Sequence, residues 1–214
     1  MNKQQIRWSS HTPINKSILR VFDITGVLEL GIGYYSTPMF FRNAKKVVGV
    51  ETDLEWINKM SSDLQQDENH RLVHQQMPKR VKRPTRRKEL TEQELLDARN
   101  FMLSMVESDL NFLFIDCISS LRWEALTHLY TKFDVITFHD YQPPGIHNHY
   151  CDGLLNLSDD YEMFIDKTYI SHTGLLLHKN VVGKFDELKR VHSEEVPQHH
   201  KANPKLVKYQ NEYH

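Results

Sequence analysis

The stretch ELGIGYYST, residues 29–37, lies where a short apolar run gives way to a helical pattern. Gly31 and Gly33 permit a tight turn between a strand and a helix, and they let a ligand lie close to the main chain. Ser36 and Thr37 are residue types that cap the helix that follows such a turn. The stretch therefore predicts the strand–turn–helix unit of a fold that binds a nucleoside-containing ligand.

Further apolar runs alternate with helix-length segments along the middle of the chain. Short, nearly continuous apolar runs are typical of strands covered on both faces, and they lie at residues 27–31, 46–51, 71–74, 111–116 and 133–140. Helical patterns fill the intervals at residues 53–64, 89–106 and 119–130. The alternation predicts an α/β fold, a Rossmann-like three-layer sandwich around a mostly parallel sheet. Residues 169–171 and 175–178 predict a terminal hairpin that turns at residues 172–174.

Composition limits the class of protein. The 214 residues are 39% hydrophobic and 26% charged, which is typical of a globular domain. The formal net charge of -1 gives no general attraction to nucleic acid or to an anionic membrane. No stretch approaches the roughly 20 apolar residues of a membrane span, so no membrane partner is expected. Two cysteines, Cys117 and Cys151, exclude a disulfide framework, and a cytoplasmic location is the expectation.

The two ends of the chain differ from its middle. Residues 1–24 predict an N-terminal helical segment, and residues 25–183 predict the main domain, with a basic insertion at residues 78–88. Residues 184–214 are polar and rich in histidine, which predicts a C-terminal tail that is mobile from about Val191 onward.

Two acidic residues flank the glycine turn in a pattern that favours a nucleoside. Glu51 ends the second apolar run about twenty residues after the turn, the usual distance for a carboxylate that accepts both ribose hydroxyls. A dinucleotide fingerprint has Gly or Ala where this chain has Ser36. Glu29 lies beside the turn, where a carboxylate suits a ligand with a cationic amino group better than a pyrophosphate.

The motif Glu29-x-Gly31-x-Gly33, together with VGVE at residues 48–51 and E-x-D-x-x-W at residues 51–56, resembles the class I S-adenosylmethionine-dependent methyltransferases. The resemblance implies a seven-stranded sheet, mostly parallel, that ends in an antiparallel hairpin. It also implies S-adenosylmethionine as the cofactor. The predicted cofactor-binding residues are Glu29, Gly31, Gly33, Ser36, Thr37, Glu51 and Asp116.

A second acidic site follows the fourth and fifth predicted strands. Asp116 closes one strand and Asp140, preceded by His139, closes the next, so Asp116 and Asp140 should face the same crevice as the glycine turn and Glu51. Carboxylates that converge there suit Mg²⁺, whereas the alternative is a helix cap at Asp116 and a turn residue at Asp140.

The residues FID at 114–116 with Arg122, and ITFHD at 136–140, are similar to small-molecule O-methyltransferases of the catechol type. That resemblance implies a divalent metal at the acids, here Asp116 and Asp140, although Tyr141 follows where those enzymes have Asn. A metal-free version would use His139 as the general base. The predicted catalytic residues are Asp116, His139 and Asp140.

Two further features, a basic segment and a pair of histidines, each allow a functional and a non-functional interpretation. Seven of the ten residues 79–88 are basic, which is typical either of a solvated loop or of a clamp for an anionic acceptor, nucleic acid included. His147 and His149 are spaced for a transition metal, but they are also explained by chance in a chain with 13 histidines.

The leading hypothesis is a methyltransferase that acts on a small acceptor, with oxygen as the expected methylated atom. The alternative is a non-catalytic or nucleic-acid-directed S-adenosylmethionine-binding protein that uses the basic segment. An NAD-dependent oxidoreductase is disfavoured by Ser36 and by the missing Tyr-x-x-x-Lys pair. The identity of the acceptor and the oligomeric state stay open.

Overall fold

The computed structural model describes residues 9–77, 90–141, 157–169 and 171–202. One seven-stranded sheet lies at its centre, in the order β3-β2-β1-β4-β5-β7-β6. The strands are β1 (Val27–Leu30), β2 (Val47–Glu51), β3 (His70–His74), β4 (Phe112–Ile115), β5 (Val135–Tyr141), β6 (Tyr161–Asp166) and β7 (His172–His178). Strands β1 to β5 are parallel, and β7 runs antiparallel to both β5 and β6. The predicted Rossmann-like α/β fold, with a mostly parallel sheet and an antiparallel terminal hairpin, is confirmed.

Helices connect and flank these strands. They are α1 (Thr12–Val21), α2 (Ser36–Asn43), α3 (Leu54–Ser61), α4 (Glu92–Ser104), α5 (Ser119–Leu129), α6 (Lys179–Val182) and α7 (Phe185–Ala202). Asp53 caps α3 by accepting from the backbone N–H groups of Glu55 and Trp56. Thr91 and Glu94 form a capping box at the start of α4. Within the described ranges, every helix is too short or too polar to cross a lipid bilayer.

The helices bury both faces of the sheet, which gives three layers. On one face, Val27 and its neighbours pack against α1, α2 and α7 through residues such as Ile18, Phe40 and Val191. On the other face, Leu28 packs in a cluster that includes Met102 of α4 and the apolar side of α5. Because both faces are covered, the central strands are apolar along their whole length, which is why they are readable in the sequence.

The C-terminal segment differs from its prediction as a mobile tail. Helix α7 continues through Ala202 and packs on α1, with Leu188 and Val191 in the core and His199 also buried. Arg20 of α1 donates to Glu195 at 2.5 Å, which ties the two helices together. The buried stripe of α7 has glutamate and histidine at positions that are usually apolar, and for that reason the composition indicated a tail.

The terminal hairpin pairs different residues from those predicted. Strands β6 and β7 pair from Tyr161 with His178 to Asp166 with Thr173, so the residues 172–174 lie within β7 and not in the turn. Gly174 pairs opposite Phe138 of β5, and a Cβ at this position would overlap the Phe138 ring. This glycine therefore serves close packing inside the sheet, which a sequence cannot distinguish from a turn glycine.

The site is determined by the order of the strands. Strand β1 lies between β2 and β4, so the chain turns to one side of β1 after α2 and to the other side after α4. In open α/β sheets, ligands bind in the crevice outside the carboxyl ends of the strands at this switch point. The residues that follow β1, β2, β4 and β5 are therefore brought to one edge.

Candidate functional site

A cleft of about 1130 Å³ opens at this edge of the sheet. It exceeds the roughly 300–1,000 Å³ of common small-molecule sites, so it has room for a nucleoside and a second molecule. One side follows β1 and β2, and the other follows β4 and β5. Its lining includes Gly33, Glu51 and Trp56 on the first side and Asp116, His139 and Asp140 on the second.

The two glycines of the turn have different surroundings. Gly31 has a φ of +89°, and a Cβ there would overlap the Asp116 carbonyl, so only glycine fits between the ends of β1 and β4. Backbone N–H groups of Gly31 and Asp116 donate to Val50 and Leu30 at 2.8 and 2.7 Å. Gly33, in contrast, lines the cleft. The main chain is thus open to a ligand at Gly33. Gly31 instead allows the ends of β1 and β4 to pack closely, which brings the two sides of the site together.

Ser36 and Thr37 lie behind the turn and are buried as the first residues of α2. The sequence predicted that Ser36 or Thr37 would cap this helix, and the prediction is wrong, because the N-cap position is Tyr35 and the helix has no side-chain cap. The Thr37 hydroxyl instead accepts from the Gly33 backbone N–H at 2.8 Å. These two residues support the turn from within.

Glu29 is fully buried beneath the same turn. Burial raises the pKa of its carboxyl to about 8, and the nearby Ser36 and Thr37 hydroxyls oppose that rise only in part. Neither carboxyl oxygen has a hydrogen-bond partner of normal geometry among the described residues. No basic side chain in the described ranges compensates this group.

Glu51 stands at the end of β2 with one oxygen committed and one available. Its Oε1 accepts from the backbone N–H groups of Thr52 and Asp53 at 2.6 and 3.0 Å. All hydrogen bonds that described residues make to this carboxylate go to Oε1. Burial raises the pKa of Glu51, although these backbone hydrogen bonds act in the opposite direction. The fixed carboxylate lines the cleft and can accept from a ligand through Oε2.

Aromatic side chains form the rim next to Glu51. Trp56 Nε1 donates to the Ile32 carbonyl at 2.9 Å, which fixes its indole over the turn. The Tyr34 ring packs edge-on against Trp56 with centroids 4.6 Å apart, and 39% of the tyrosine is exposed. The tyrosine thus lies on the rim of the cleft, packed against the indole.

Arg122 of α5 organises the other side. Its buried guanidinium donates to Asp116 Oδ1 at 2.7 Å and to Asp140 Oδ2 at 3.0 Å. It also donates to the main-chain carbonyls of Cys117 and His139. The two carboxylates predicted to hold Mg²⁺ therefore already share a cation, and this pair does not fit a magnesium ion well.

Asp140 is held in an unusual conformation. Its φ of 59° is rare for a residue other than glycine, and it falls where the pairing of β5 with β7 shifts register. The Ser171 hydroxyl donates to its Oδ1. Burial disfavours the ionised carboxylate, but His139 and Arg122 outweigh it and hold the pKa of Asp140 far below its usual range. Asp140 is thus a permanently charged partner of Arg122 near neutral pH.

His139 is buried at the base of the cleft. Its Nε2 lies 2.7 Å from Ser10 Oγ, and its Nδ1 lies 3.3 Å from Asp116 Oδ1. Burial disfavours the imidazolium, but the charges of Asp116 and Asp140 prevail and raise the pKa of His139. The carboxylates thus orient this imidazole and increase its basicity.

His11 completes the base of the cleft, and the sequence analysis missed it. Its ring lies 4.7 Å from that of Phe114 and 4.8 Å from that of His139, by centroids. Burial and the neighbouring His139 lower the pKa of His11 to about 3, so the imidazole is uncharged near neutral pH. No local motif marks the residue, because its neighbours come from strands about a hundred positions away in the chain.

The remaining predicted features are placed as follows. Cys117 follows β4, and burial raises the pKa of its thiol to about 12, which does not suit a nucleophile. The basic insertion at residues 78–88 and the pair His147 and His149 lie outside the described residues. The chain enters that insertion beside the cleft, since Gln75 donates its backbone N–H to the Glu51 carbonyl at 2.8 Å.

Comparisons with known proteins add little to this site. No protein-family model and no curated protein match the chain. A hypothetical methylase from Haemophilus influenzae matches with 13% identity and a TM-score of 0.49, over 77% of this chain and 93% of its own. An rRNA methylase from Streptococcus thermophilus matches with 14% identity and a TM-score of 0.46, over 76% and 92%.

A SAM-dependent methyltransferase from Aquifex aeolicus matches with 12% identity and a TM-score of 0.44, over 83% of this chain and 98% of its own. At such low identities and TM-scores, these three structures carry no argument about activity or acceptor.

Proposed function

We propose that the protein is an S-adenosylmethionine-dependent methyltransferase. The observation that carries the proposal is the Glu51 carboxylate, which is fixed at the end of β2 by two backbone N–H groups and has Oε2 available to the cleft. A carboxylate at this position accepts hydrogen bonds from the hydroxyls of a ribose. Gly33 presents open main chain in the same cleft, and Trp56 provides an apolar wall.

The charge of this side supports a cationic ligand. Among the described residues, neither Glu29 nor Glu51 forms an ion pair with a basic side chain, and burial raises the pKa of both. S-adenosylmethionine carries an ammonium and a sulfonium group, which suit the Glu51 carboxylate, whereas a dinucleotide carries a pyrophosphate that this carboxylate would repel. When bound, the cofactor supplies an already activated methyl group, so the protein has mainly to position an acceptor in line with it.

The acceptor side contains the groups for proton removal. His139 lines the cleft and, in the metal-free protein, is the group that would take a proton from an acceptor hydroxyl, with Asp116 3.3 Å from its Nδ1. Arg122 and Asp140 hold these groups in place and do not themselves exchange protons near neutral pH. We therefore infer a small acceptor that is methylated at oxygen, with the catechol-type enzymes as the nearest resemblance.

An anionic acceptor, nucleic acid included, is the second candidate. It is favoured by the basic segment, residues 79–88, which begins four residues after Gln75, and Gln75 donates its backbone N–H to the Glu51 carbonyl. Phosphate contacts by Lys and Arg make binding fall steeply with salt. Titration of a fluorescent single-stranded RNA at two salt concentrations separates the candidates, because a small neutral acceptor predicts no such RNA binding.

Titration calorimetry with S-adenosylmethionine tests the proposed cofactor. Glu51→Gln should weaken binding by roughly 10- to 100-fold, because hydrogen bonds to a charged group contribute about 1.5–3 kcal/mol. Glu162→Gln, an exposed change on β6, is the matched control and should leave the affinity unchanged. Absence of binding to the wild-type protein at millimolar cofactor, or equal affinity in Glu51→Gln, would contradict the proposal.

A further inference from the structure

We propose that His11, Asp116 and His139 form a binding site for one divalent transition-metal ion. Each residue offers one ligand atom, and these atoms all lie within 4.8 Å of one another at the base of the cleft. Two imidazole nitrogens and one carboxylate oxygen suit ions such as Zn²⁺, Co²⁺, Ni²⁺ and Fe²⁺ better than Mg²⁺. The set differs from the Asp116 and Asp140 pair that the sequence predicted for magnesium.

His11 gives the strongest reason to expect a ligand. The residue is only 2% exposed, and neither of its ring nitrogens has a hydrogen-bond partner among the described residues. Buried polar groups are normally satisfied, so an orphan of this kind calls for an explanation such as an ion. The rings of Phe114 and His139 pack against the imidazole and hold it in position beside Asp116.

His139 shows the outer support that metal-binding histidines usually have. Its Nε2 lies 2.7 Å from the Ser10 hydroxyl, which leaves Nδ1 directed toward Asp116 at 3.3 Å. A metal-bound imidazole commonly has its second nitrogen fixed by a polar group of the protein in this way. Ser10 and His11 are adjacent, so one short segment provides both a ligand and the support of another.

The local charge also favours a cation. Asp116 and Asp140 contribute two negative charges against the single fixed positive charge of Arg122, and an ion bound here would take the place of any proton on His139. Arg122 donates to Oδ1 of Asp116, and a carboxylate that accepts a hydrogen bond through one oxygen can coordinate through the other. An ion bound here would lie beside Arg122 and would balance the remaining negative charge.

The ion would be accessible from the cleft, because all three ligand residues line it. The inference goes beyond the proposed methyl transfer and does not depend on it, since the site is defined without the cofactor. In the metal-loaded protein, His139 would be a ligand and not a base. The ion would then lower the pKa of an oxygen ligand that enters from the cleft.

Binding of Co²⁺ to the full chain, first treated with a chelator, tests the site through the visible absorption of the ion. We expect one equivalent to bind, with at least tenfold weaker binding in His11→Gln and in Asp116→Asn. His128→Gln is the matched control, since His128 lies on α5 outside the cluster, and it should bind as the wild type does. Unchanged affinity in both cluster variants would overturn the proposal and indicate adventitious binding to other histidines.

A measurement on the unaltered protein covers the case in which the variants fail to fold. Paramagnetic Co²⁺ broadens the NMR signals of imidazoles that lie close to it, and the ¹⁵N-labelled histidine side chains report this directly. The His11 and His139 signals should broaden first, at substoichiometric ion. Earlier broadening of other histidine signals would contradict the site, whether or not S-adenosylmethionine binds.

Discussion

The two sides of the cleft use the same type of residue in opposite ways. Each has carboxylates at the ends of parallel strands, Glu51 with the buried Glu29 on one side, and Asp116 with Asp140 on the other. The first pair has no basic partner among the described residues, and burial raises the pKa of both groups. The second pair shares the guanidinium of Arg122.

The difference in charge compensation indicates the role for which each side is suited. Without a protein cation, Glu51 leaves its charge for a ligand, and Glu29 holds a proton that a cationic ligand would displace, which here fits the ammonium and sulfonium of S-adenosylmethionine. Carboxylates that are already paired with a guanidinium serve to fix the geometry of the site, and here they position His139. The surroundings of an acid, more than its place at a strand end, therefore decide its role.

The largest effect is expected from removal of the cation on the acceptor side. Arg122→Met leaves two carboxylates without their partner in a largely buried setting, which should lower the free energy of unfolding by about 3–5 kcal/mol. Urea unfolding measures the change. Arg190→Met is the control, because Arg190 pairs with Glu194 at the surface and should change stability by less than about 1 kcal/mol. Equal losses in the two variants would erase the contrast between the sides.

The next effect is expected from a substitution of Gly31, which lies where the two sides of the cleft meet. Gly31→Ala forces an alanine into a φ of +89° and against the Asp116 peptide, and backbone strain alone should cost about 1–3 kcal/mol. Because the strained residue packs between the ends of β1 and β4, beside the proposed cofactor site, cofactor binding should weaken as well. Gly183→Ala is the control, since a Cβ there meets open space, and it should stabilise the protein by about 0.4–1 kcal/mol. An unchanged free energy of unfolding in Gly31→Ala would show that the turn is not constrained by β4.

A third effect concerns Glu29, and its size depends on pH. Its pKa is raised to about 8 in the folded protein, so the folded state keeps a proton that the unfolded chain releases near pH 4.5. Stability from this group is complete below the unfolded pKa and falls as pH rises toward the folded one, by up to about 1.4 kcal/mol per pH unit.

Glu29→Gln removes that dependence. The unfolding free energy of the wild type should decline relative to the variant from about pH 5 to about pH 8, as measured by urea unfolding at several pH values. The same variant should bind S-adenosylmethionine less tightly. Parallel stability curves would mean that the buried carboxyl is compensated by the protein, and the contrast between the two sides would then fail at this residue.

Much of the fold could be predicted because its signals are local. The buried central strands are apolar runs, and the turn at Gly31 and the acid at Glu51 lie at a spacing set by one strand–helix–strand unit. Strand β6 was not predicted, since YEMFID has only a short apolar run and leaves Glu162 and Ile165 exposed at the edge of the sheet. The sequence of α7 indicates a tail and not a helix, because part of its buried stripe is polar.

The candidate site was less predictable because its contacts span the chain. Ser10 and His139 are 129 positions apart, and no local pattern indicates that they meet. Arg122 was noted for a resemblance, but its contact with both acids depends on how α5 packs beneath β4 and β5. Charge compensation of this kind decides whether a carboxylate pair is open to a metal, and it is visible only in three dimensions.

The most direct test of the central claim is a crystal structure of the protein with S-adenosylmethionine or its demethylated product. The ribose hydroxyls should lie within hydrogen-bonding distance of Glu51 Oε2, with the main chain of Gly33 against the ligand and the cationic end on the side of Glu29. A ligand seated elsewhere, or a Glu51 carboxylate that makes no contact with the sugar, would contradict it.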